Sequence, residues 1–121
     1  HFKNVNDQFG HDMGDMALVL LANKLRQQAR ASDEVFRLGG EEFGMLLPST
    51  DGEGAMVAAE RIRKAVEAEE LKQNQQLIHF TISLGVTEYV PEMETVDELF
   101  KRADNALYAA KREGRNRTVR E

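Results

Sequence analysis

The sequence contains no cysteine, no tryptophan and no long apolar run. Without cysteine the chain can form neither a disulfide framework nor a cysteine-ligated metal site, which agrees with a reducing compartment. No stretch has the apolar length that a membrane-spanning helix needs, and no signal peptide is visible. We therefore predict a cytoplasmic segment without membrane contact, although other domains of a parent protein could anchor it to a membrane.

An excess of basic residues is also missing. The sequence has 16 Lys and Arg residues and 21 Asp and Glu residues, for a net charge of -5. No whole face of the protein can therefore neutralise a phosphate backbone, and general nucleic-acid binding is not expected. A length of 121 residues, 41% hydrophobic and 31% charged, fits one globular domain over residues 1–121. The sequence starts without methionine, and we interpret it as a piece of a longer protein.

Hydrophobic periodicity predicts three helices. The first should run from about Met13 to Ala29 after a cap at Asp12, the second should follow the turn cluster at 49–52, and the third should start at a capping box formed by Thr95 and Glu98. Gly114 should end the third helix. The predicted buried positions are Leu18, Leu21, Ala22, Leu25, Ala29, Ala55, Ala59, Ile62, Val66, Val96, Leu99, Ala103, Leu107 and Ala110. Arg61, Arg63 and Lys64 should face solvent.

The strand pattern is centred on a glycine pair. Two β-like runs, 34–38 and 43–47, flank Gly39 and Gly40, which predicts a tight hairpin because glycine supplies the positive φ that a two-residue turn requires. Alternation over residues 78–87 predicts one further strand, residues 67–76 a surface connection, and residues 117–120 a short edge strand. A hairpin with helices covering one sheet face predicts an α+β two-layer sandwich.

Two carboxylates, Glu41 and Glu42, follow the glycine pair directly. Neighbouring side chains of a strand point to opposite faces, so both cannot be buried on one side. From turn chemistry alone they are either a solvated hairpin tip or a functional pair.

Several separated segments resemble, in order, the motifs of the GGDEF family of diguanylate cyclases. Residues Gly39 to Phe43 are similar to the family signature. The other segments are Phe2 to Asp15, similar to the substrate motif; Arg30 to Asp33, similar to the RxxD motif; Ser83 to Val86, similar to a core strand; and Ala103 to Asn116, similar to the C-terminal helix and phosphate clamp. The resemblance covers essentially the whole chain.

The resemblance implies a fold, a reaction and partners. The fold would be a ferredoxin-like palm similar to that of nucleotidyl cyclases and polymerases. The reaction would condense two GTP molecules into cyclic di-GMP and pyrophosphate, within a homodimer whose domains hold one GTP each. Two Mg²⁺ ions per site, or Mn²⁺, would bridge the phosphates, and magnesium prefers hard oxygen ligands such as carboxylates. A sensory or receiver domain would lie elsewhere in the parent chain.

The resemblance also assigns residues to the active site. Glu41 and Glu42 would be catalytic and would bind metal. The substrate-binding residues would be Lys3, Asn6, His11, Asp15, Gly39, Gly40, Lys111 and Arg115, with Asn6 and Asp15 reading guanine and the basic residues holding phosphates. Asp15 could equally complement a helix dipole, and Lys111 and Arg115 could be a solvated helix end that satisfies the last carbonyls.

An inhibitory site for cyclic di-GMP is implied at Arg30 and Asp33, with Arg61 as a secondary position. The planar guanidinium of arginine can stack on a guanine or bind a phosphate bidentately, which the ammonium of lysine cannot. The alternative for Arg30 and Asp33 is a surface ion pair of little energetic value. A corresponding alternative function is a catalytically weak receptor for cyclic di-GMP, and a third is an inert interaction module.

Two features depart from the family pattern. In the family, a core strand bearing Asp-x-Asp directly precedes the residues that match His1 to Lys3. We therefore expect that the chain is an N-terminally truncated piece that lacks a metal ligand and a central strand. Gly44, after Phe43, should weaken its strand slightly.

Overall fold

The computed structural model describes residues 11–39, 42–73, 76–92 and 95–121. These residues form three helices and six strands. In chain order the elements are α1 (His11–Gln28), β1 (Glu34–Gly39), β2 (Glu42–Leu46), α2 (Gly52–Ala68), β3 (Leu71–Gln73), β4 (Gln76–Ile78), β5 (Leu84–Val86), α3 (Val96–Arg112) and β6 (Thr118–Arg120). The predicted α+β class is confirmed. In this part of the chain, no helix has the length and apolarity needed to cross a bilayer.

The first of two compact units contains the described residues up to Pro48 together with Ala65–Phe80. Its helix α1 buries Ala17, Leu21 and Leu25, which recur every four residues and so lie on one face. The other buried apolar residues of this unit are Val66, Leu71 and Phe80. Helix α1 contacts β3, and Lys24 Nζ forms an ion pair with Glu69 Oε1 at 2.5 Å. The helix begins at His11, so Asp12 lies inside it and not at its cap.

Strands β1 and β2 form the predicted antiparallel hairpin, and β1 extends one residue further than predicted, to Gly39. Phe36 pairs with Gly44 and Gly39 pairs with Glu42, with a register shift between Arg37 and Gly39. Gly39 is therefore the last residue of β1, and positions 40 and 41 connect the strands. No described residue of this hairpin is fully buried.

The predicted long strand over residues 78–87 is wrong. Ile78 ends β4, and β5 begins only at Leu84. Alternation of side chains gives a segment two faces, but a strand also needs a hydrogen-bonded neighbour. Here β4 pairs with β3, and β5 pairs with β6. The predicted surface connection over 67–76 is also wrong in part, since β3 and β4 form an antiparallel hairpin there.

The second unit contains Ser49–Lys64 and Thr81–Glu121. Asp51 Oδ1 accepts a hydrogen bond from Gly54 N at 2.8 Å at the start of α2, and Thr95 Oγ1 accepts one from Glu98 N at 3.3 Å, which confirms the predicted cap of α3. The predicted edge strand is confirmed as β6, parallel to β5.

Burial in the second unit centres on small residues of α3. Ala106 and Ala110 are buried, whereas Val96, predicted to be buried, is 64% exposed. Val96 is the first residue of α3. The buried residues of this helix, Ala106 and Ala110, lie in its C-terminal half. On α2, Ala59 and Ile62 are buried as predicted. In β5, Gly85 lies directly against the backbone of α3, at Ala103 and Leu107.

Candidate functional site

Glu42 lies at the end of the β1–β2 hairpin where the chain passes from β1 to β2. This residue is exposed as the first of β2 and pairs with Gly39 across the hairpin. Gly39 has φ +146°, a conformation that residues with a side chain rarely adopt, and no described atom lies within 4 Å of the position that a Cβ would take. Backbone conformation therefore favours glycine strongly at this position.

The exposed Glu42 carboxylate offers the oxygen chemistry that a magnesium ion prefers. Its sequence neighbour Glu41 lies outside the described residues, as do Lys3, Asn6 and Gly40. In the described ranges, no group of three or more His, Asp or Glu residues comes together as a metal site. The carboxylate chemistry of Glu42 is thus compatible with a hard divalent cation at this end of the hairpin.

Helix α1 carries two predicted substrate residues near its start. Asp15 is exposed in the first turns of this helix, where a carboxylate complements the positive end of the helix dipole. The helix begins at His11, whose side chain lies outside the described part of the structure. The exposed carboxylate of Asp15 is accessible to solvent on this helix.

Arg30 and Asp33 come together, as their spacing predicts, in the turn before β1. Asp33 Oδ2 accepts a hydrogen bond from Arg30 N at 2.8 Å and lies 3.6 Å from Arg30 Nε. The two side chains differ in exposure, 61% for Arg30 and 3% for Asp33. Asp33 Oδ1 is buried without a hydrogen bond to the described residues. The Asp33 carboxylate is therefore withdrawn from solvent, whereas the Arg30 guanidinium is largely exposed.

Arg61, the predicted secondary inhibitory residue, is exposed on α2. Its position as an outward-facing side chain is as predicted.

The C-terminal end of α3 carries Lys111 and Arg115. Lys111 is half-buried in the last turn, and Arg115 is exposed just beyond it. The chain leaves the helix through three successive positive φ angles, +124° at Gly114, +63° at Arg115 and +47° at Asn116. Hydrogen bonds from Glu113 N to Ala109 O and from Arg115 N to Ala110 O, both 2.9 Å, close this end.

The prediction that Arg63 faces solvent is wrong, and this residue marks a network that the sequence did not reveal. Its side chain is only 14% exposed. Arg63 Nη2 donates to Glu60 Oε2 at 2.7 Å, and Arg63 Nη1 donates to Asn116 Oδ1 at 2.9 Å. The Glu60–Arg63 spacing suggests a helical pair, but nothing in the sequence links Arg63 to Asn116.

Hydrogen bonds from Arg63 lower the pKa of Glu60 below its ordinary value, against the opposing effect of burial. Thr118 and the positive charges of Arg63 and Lys64 act in the same direction to a smaller extent. The Oγ1 atom of Thr118 is buried and makes no hydrogen bond of ordinary geometry with the described residues, so we attribute the lowering to Arg63.

Comparison with known proteins gives consistent matches over nearly the whole chain. The family model described as "Diguanylate cyclase, GGDEF domain" matches residues 1–117. Diguanylate cyclase A of Treponema denticola is 43% identical over 118 residues, covering 98% of this chain and 32% of the relative. Diguanylate cyclase DgcM of Escherichia coli is 48% identical over 118 residues, covering 98% of this chain and 28% of the relative. The chain thus spans about a third of the length of these relatives.

Solved structures share the fold. The diguanylate cyclase SiaD of Pseudomonas aeruginosa, in complex with its activator SiaC, has a TM-score of 0.93 at 41% identity, covering 99% of this chain and 46% of SiaD. The GGDEF domain of DgcB from Caulobacter crescentus, in complex with c-di-GMP, has a TM-score of 0.94 at 36% identity, covering 99% of this chain and 71% of that one. The predicted palm-like cyclase fold is confirmed by this likeness.

Proposed function

Because the chain belongs to the family of diguanylate cyclase GGDEF domains, we propose that it condenses two GTP molecules into cyclic di-GMP with release of pyrophosphate. The observation that carries this proposal is the family match over residues 1–117, which includes the Gly-Gly-Glu-Glu-Phe sequence at residues 39–43. The exposed Glu42 supports it, as does the absence of any described atom within 4 Å of the Cβ position at Gly39. One GTP is held by each domain, so the reaction needs a homodimer.

Glu41 and Glu42 are the proposed catalytic pair and would hold the divalent cation. The donor chemistry favours Mg²⁺, two ions per site, with Mn²⁺ as a substitute. When bound, such ions lower the pKa of the attacking hydroxyl and stabilise charge on the leaving phosphates. Glu41 additionally would accept the proton of the ribose 3′-hydroxyl, and the glycines Gly39 and Gly40 would keep the approach to the turn free of side chains.

The remaining substrate contacts divide between base and phosphates. Asn6 and Asp15 read the guanine edge, since an amide beside a carboxylate matches the donors and acceptor of that edge. His11 is a further proposed substrate-binding residue. Lys3, Lys111 and Arg115 bind phosphate oxygens as charge-assisted donors. The exposure of Asp15 and Arg115 supports these roles.

Product inhibition is proposed at Arg30 and Asp33, with Arg61 contributing. The Arg30 side chain is 61% exposed beside Asp33, and Asp33 keeps Oδ1 without a hydrogen bond to the described residues. A guanine edge that reaches Asp33 would supply the missing donor. The match to the DgcB domain, whose structure is a complex with c-di-GMP, supports a binding site for that nucleotide here.

The activity test uses the full natural chain that carries this segment, incubated with GTP and Mg²⁺ and followed by chromatographic detection of cyclic di-GMP. Product should form with the natural protein, and Glu41→Gln should abolish it. Glu92→Gln, which alters an exposed carboxylate outside the proposed site, is the matched control and should leave turnover unchanged. Absence of product from the natural protein would refute the cyclase proposal.

A catalytically weak receptor is the second candidate, favoured by the geometry of Arg30 and Asp33. Calorimetry with cyclic di-GMP separates the two candidates. Binding that is lost on Arg30→Ala, in a protein that makes no product from GTP and Mg²⁺, would establish the receptor. An intact Glu41 and Glu42 favour the enzyme, because binding at Arg30 does not require them.

A further inference from the structure

The turn that follows α3 has an unusual backbone. Arg115 and Asn116 are successive residues other than glycine with φ of +63° and +47°. Left-handed conformations cost roughly 1–2 kcal/mol for most residues with a Cβ, although asparagine tolerates them better. Such conformations persist only where surrounding contacts fix them. The contacts that hold this turn therefore decide where Arg115 is placed.

Arg63 supplies such a contact from α2. Its Nη1 lies 2.9 Å from Asn116 Oδ1 and 3.4 Å from the Asn116 carbonyl oxygen. On its other side, Nε and Nη2 donate to the Glu60 carboxylate at 3.0 and 2.7 Å. The planar guanidinium is thus fixed by Glu60 in the orientation that directs Nη1 at Asn116. All three residues belong to the second compact unit.

We propose that Arg63 is a positioning residue for the phosphate contacts of the reaction, acting through Asn116 on the neighbouring Arg115. It touches no substrate itself. Its guanidinium stabilises the left-handed turn, and the turn fixes the backbone from which the Arg115 side chain extends, just beyond the end of α3. This inference rests on the proposed phosphate-binding role of Arg115.

The chemistry of the site requires arginine. A lysine at position 63 has a single ammonium on a flexible chain, which cannot donate bidentately to Glu60 while also reaching both oxygens of Asn116. A methionine of similar length preserves the apolar packing of the stem but makes no such donation. Arg63→Lys should therefore fall between the natural protein and Arg63→Met.

The test combines kinetics with a double-mutant cycle in the full natural chain. In Arg63→Met, the KM for GTP and the inhibition constant of inorganic pyrophosphate should each rise roughly tenfold. The matched control Lys64→Met, at the next and exposed position of α2, should change neither. Adding Arg63→Met to Arg115→Ala should cause no further loss, because coupled residues are not additive. Independent, additive losses would overturn the proposal.

Amide hydrogen exchange tests the turn itself, without reference to GTP. The backbone amides of Arg115 and Asn116 should exchange faster in Arg63→Met than in the natural protein, but not in Lys64→Met. The exchange rates are compared under conditions in which the proteins have the same free energy of unfolding. Unchanged exchange would overturn the proposal. If the natural protein binds neither GTP nor pyrophosphate, the proposed function fails on its own, and exchange at these two amides still decides whether Arg63 holds the turn.

Discussion

The β1–β2 hairpin and the packing of β5 on α3 use glycine in different ways. In the hairpin, a Cβ at Gly44 would lie 2.5 Å from the ring of Phe36, the residue paired with it across the strands. In β5, a Cβ at Gly85 would meet the backbone of α3 at Ala103 and Leu107. A ring at the end of a side chain can turn aside, but the backbone of a helix cannot.

Burial separates the same two regions. No described residue of β1 or β2 is fully buried, whereas Val86, Ala106 and Ala110 are buried in and against the β5–α3 packing. Regions with few buried apolar contacts have low local stability, and sites of ligand binding are often drawn from them. The hairpin is thus suited to carry chemistry, and the β5–α3 packing is suited to carry stability.

The largest expected effect is on Gly85. Gly85→Ala should lower the free energy of unfolding by about 3 kcal/mol, because the added methyl group forces two backbones apart. Gly44→Ala should lower the free energy of unfolding by no more than about 1 kcal/mol, because the ring of Phe36 can rotate and alanine is a better strand residue than glycine. Urea unfolding of both variants measures the difference. Equal losses would show that the hairpin is packed as rigidly as β5.

Glu42 should give the opposite result, a large loss of activity with little loss of stability. Glu42→Gln removes one negative charge from the proposed metal site, and we expect cyclic di-GMP formation to fall by at least about 100-fold. Since Glu42 is exposed, the substitution should change the free energy of unfolding of the protein by less than about 0.5 kcal/mol.

Glu34→Gln provides the matched control for this prediction, since Glu34 is an exposed carboxylate at the other end of the same hairpin. Both activity and stability should be unchanged there. Turnover that survives Glu42→Gln would mean that the hairpin end does not carry the chemistry assigned to it.

Local signals in the sequence predicted the local parts of this structure. The three helices follow from apolar spacing, the cap at Thr95 from its distance to Glu98, and the Arg30–Asp33 contact from a separation of three residues. Each of these contacts closes within one turn of chain. The Gly39–Phe43 sequence likewise placed Glu42 at the hairpin end without any knowledge of the packing.

Pairing between distant segments is what the sequence did not predict. Residues 79–83 alternate like a strand, yet β4 and β5 stop on either side of them because each strand is defined by its hydrogen-bonded partner. Arg63 was predicted to be solvated because its position on the helix faces away from the apolar stripe. Its partner Asn116 lies 53 residues away, and no periodicity reports a contact at that separation.

The smallest predicted effect is a pH dependence centred on Glu60, which tests whether the second unit depends on charge as well as packing. The pKa of Glu60 is lowered from about 4.5 by hydrogen bonds from Arg63. A carboxylate with a lowered pKa in the folded state contributes stability above its unfolded pKa and loses it as the pH falls through the folded pKa. The natural protein should therefore be more stable than Glu60→Gln near neutral pH, and this advantage should shrink below about pH 4.5.

The advantage should stay below about 1 kcal/mol, because solvent screens a carboxylate whose side chain is 35% exposed. Urea unfolding at several pH values measures it, and an NMR titration of the Glu60 carboxyl carbon reports the pKa directly. In an Arg63→Met background the lowering of the pKa should largely disappear, since Arg63 is its main cause. A Glu60 pKa that stays low in that background would assign the effect to Thr118 or Lys64, and the link from Glu60 through Arg63 to the Asn116 turn would lose its electrostatic support.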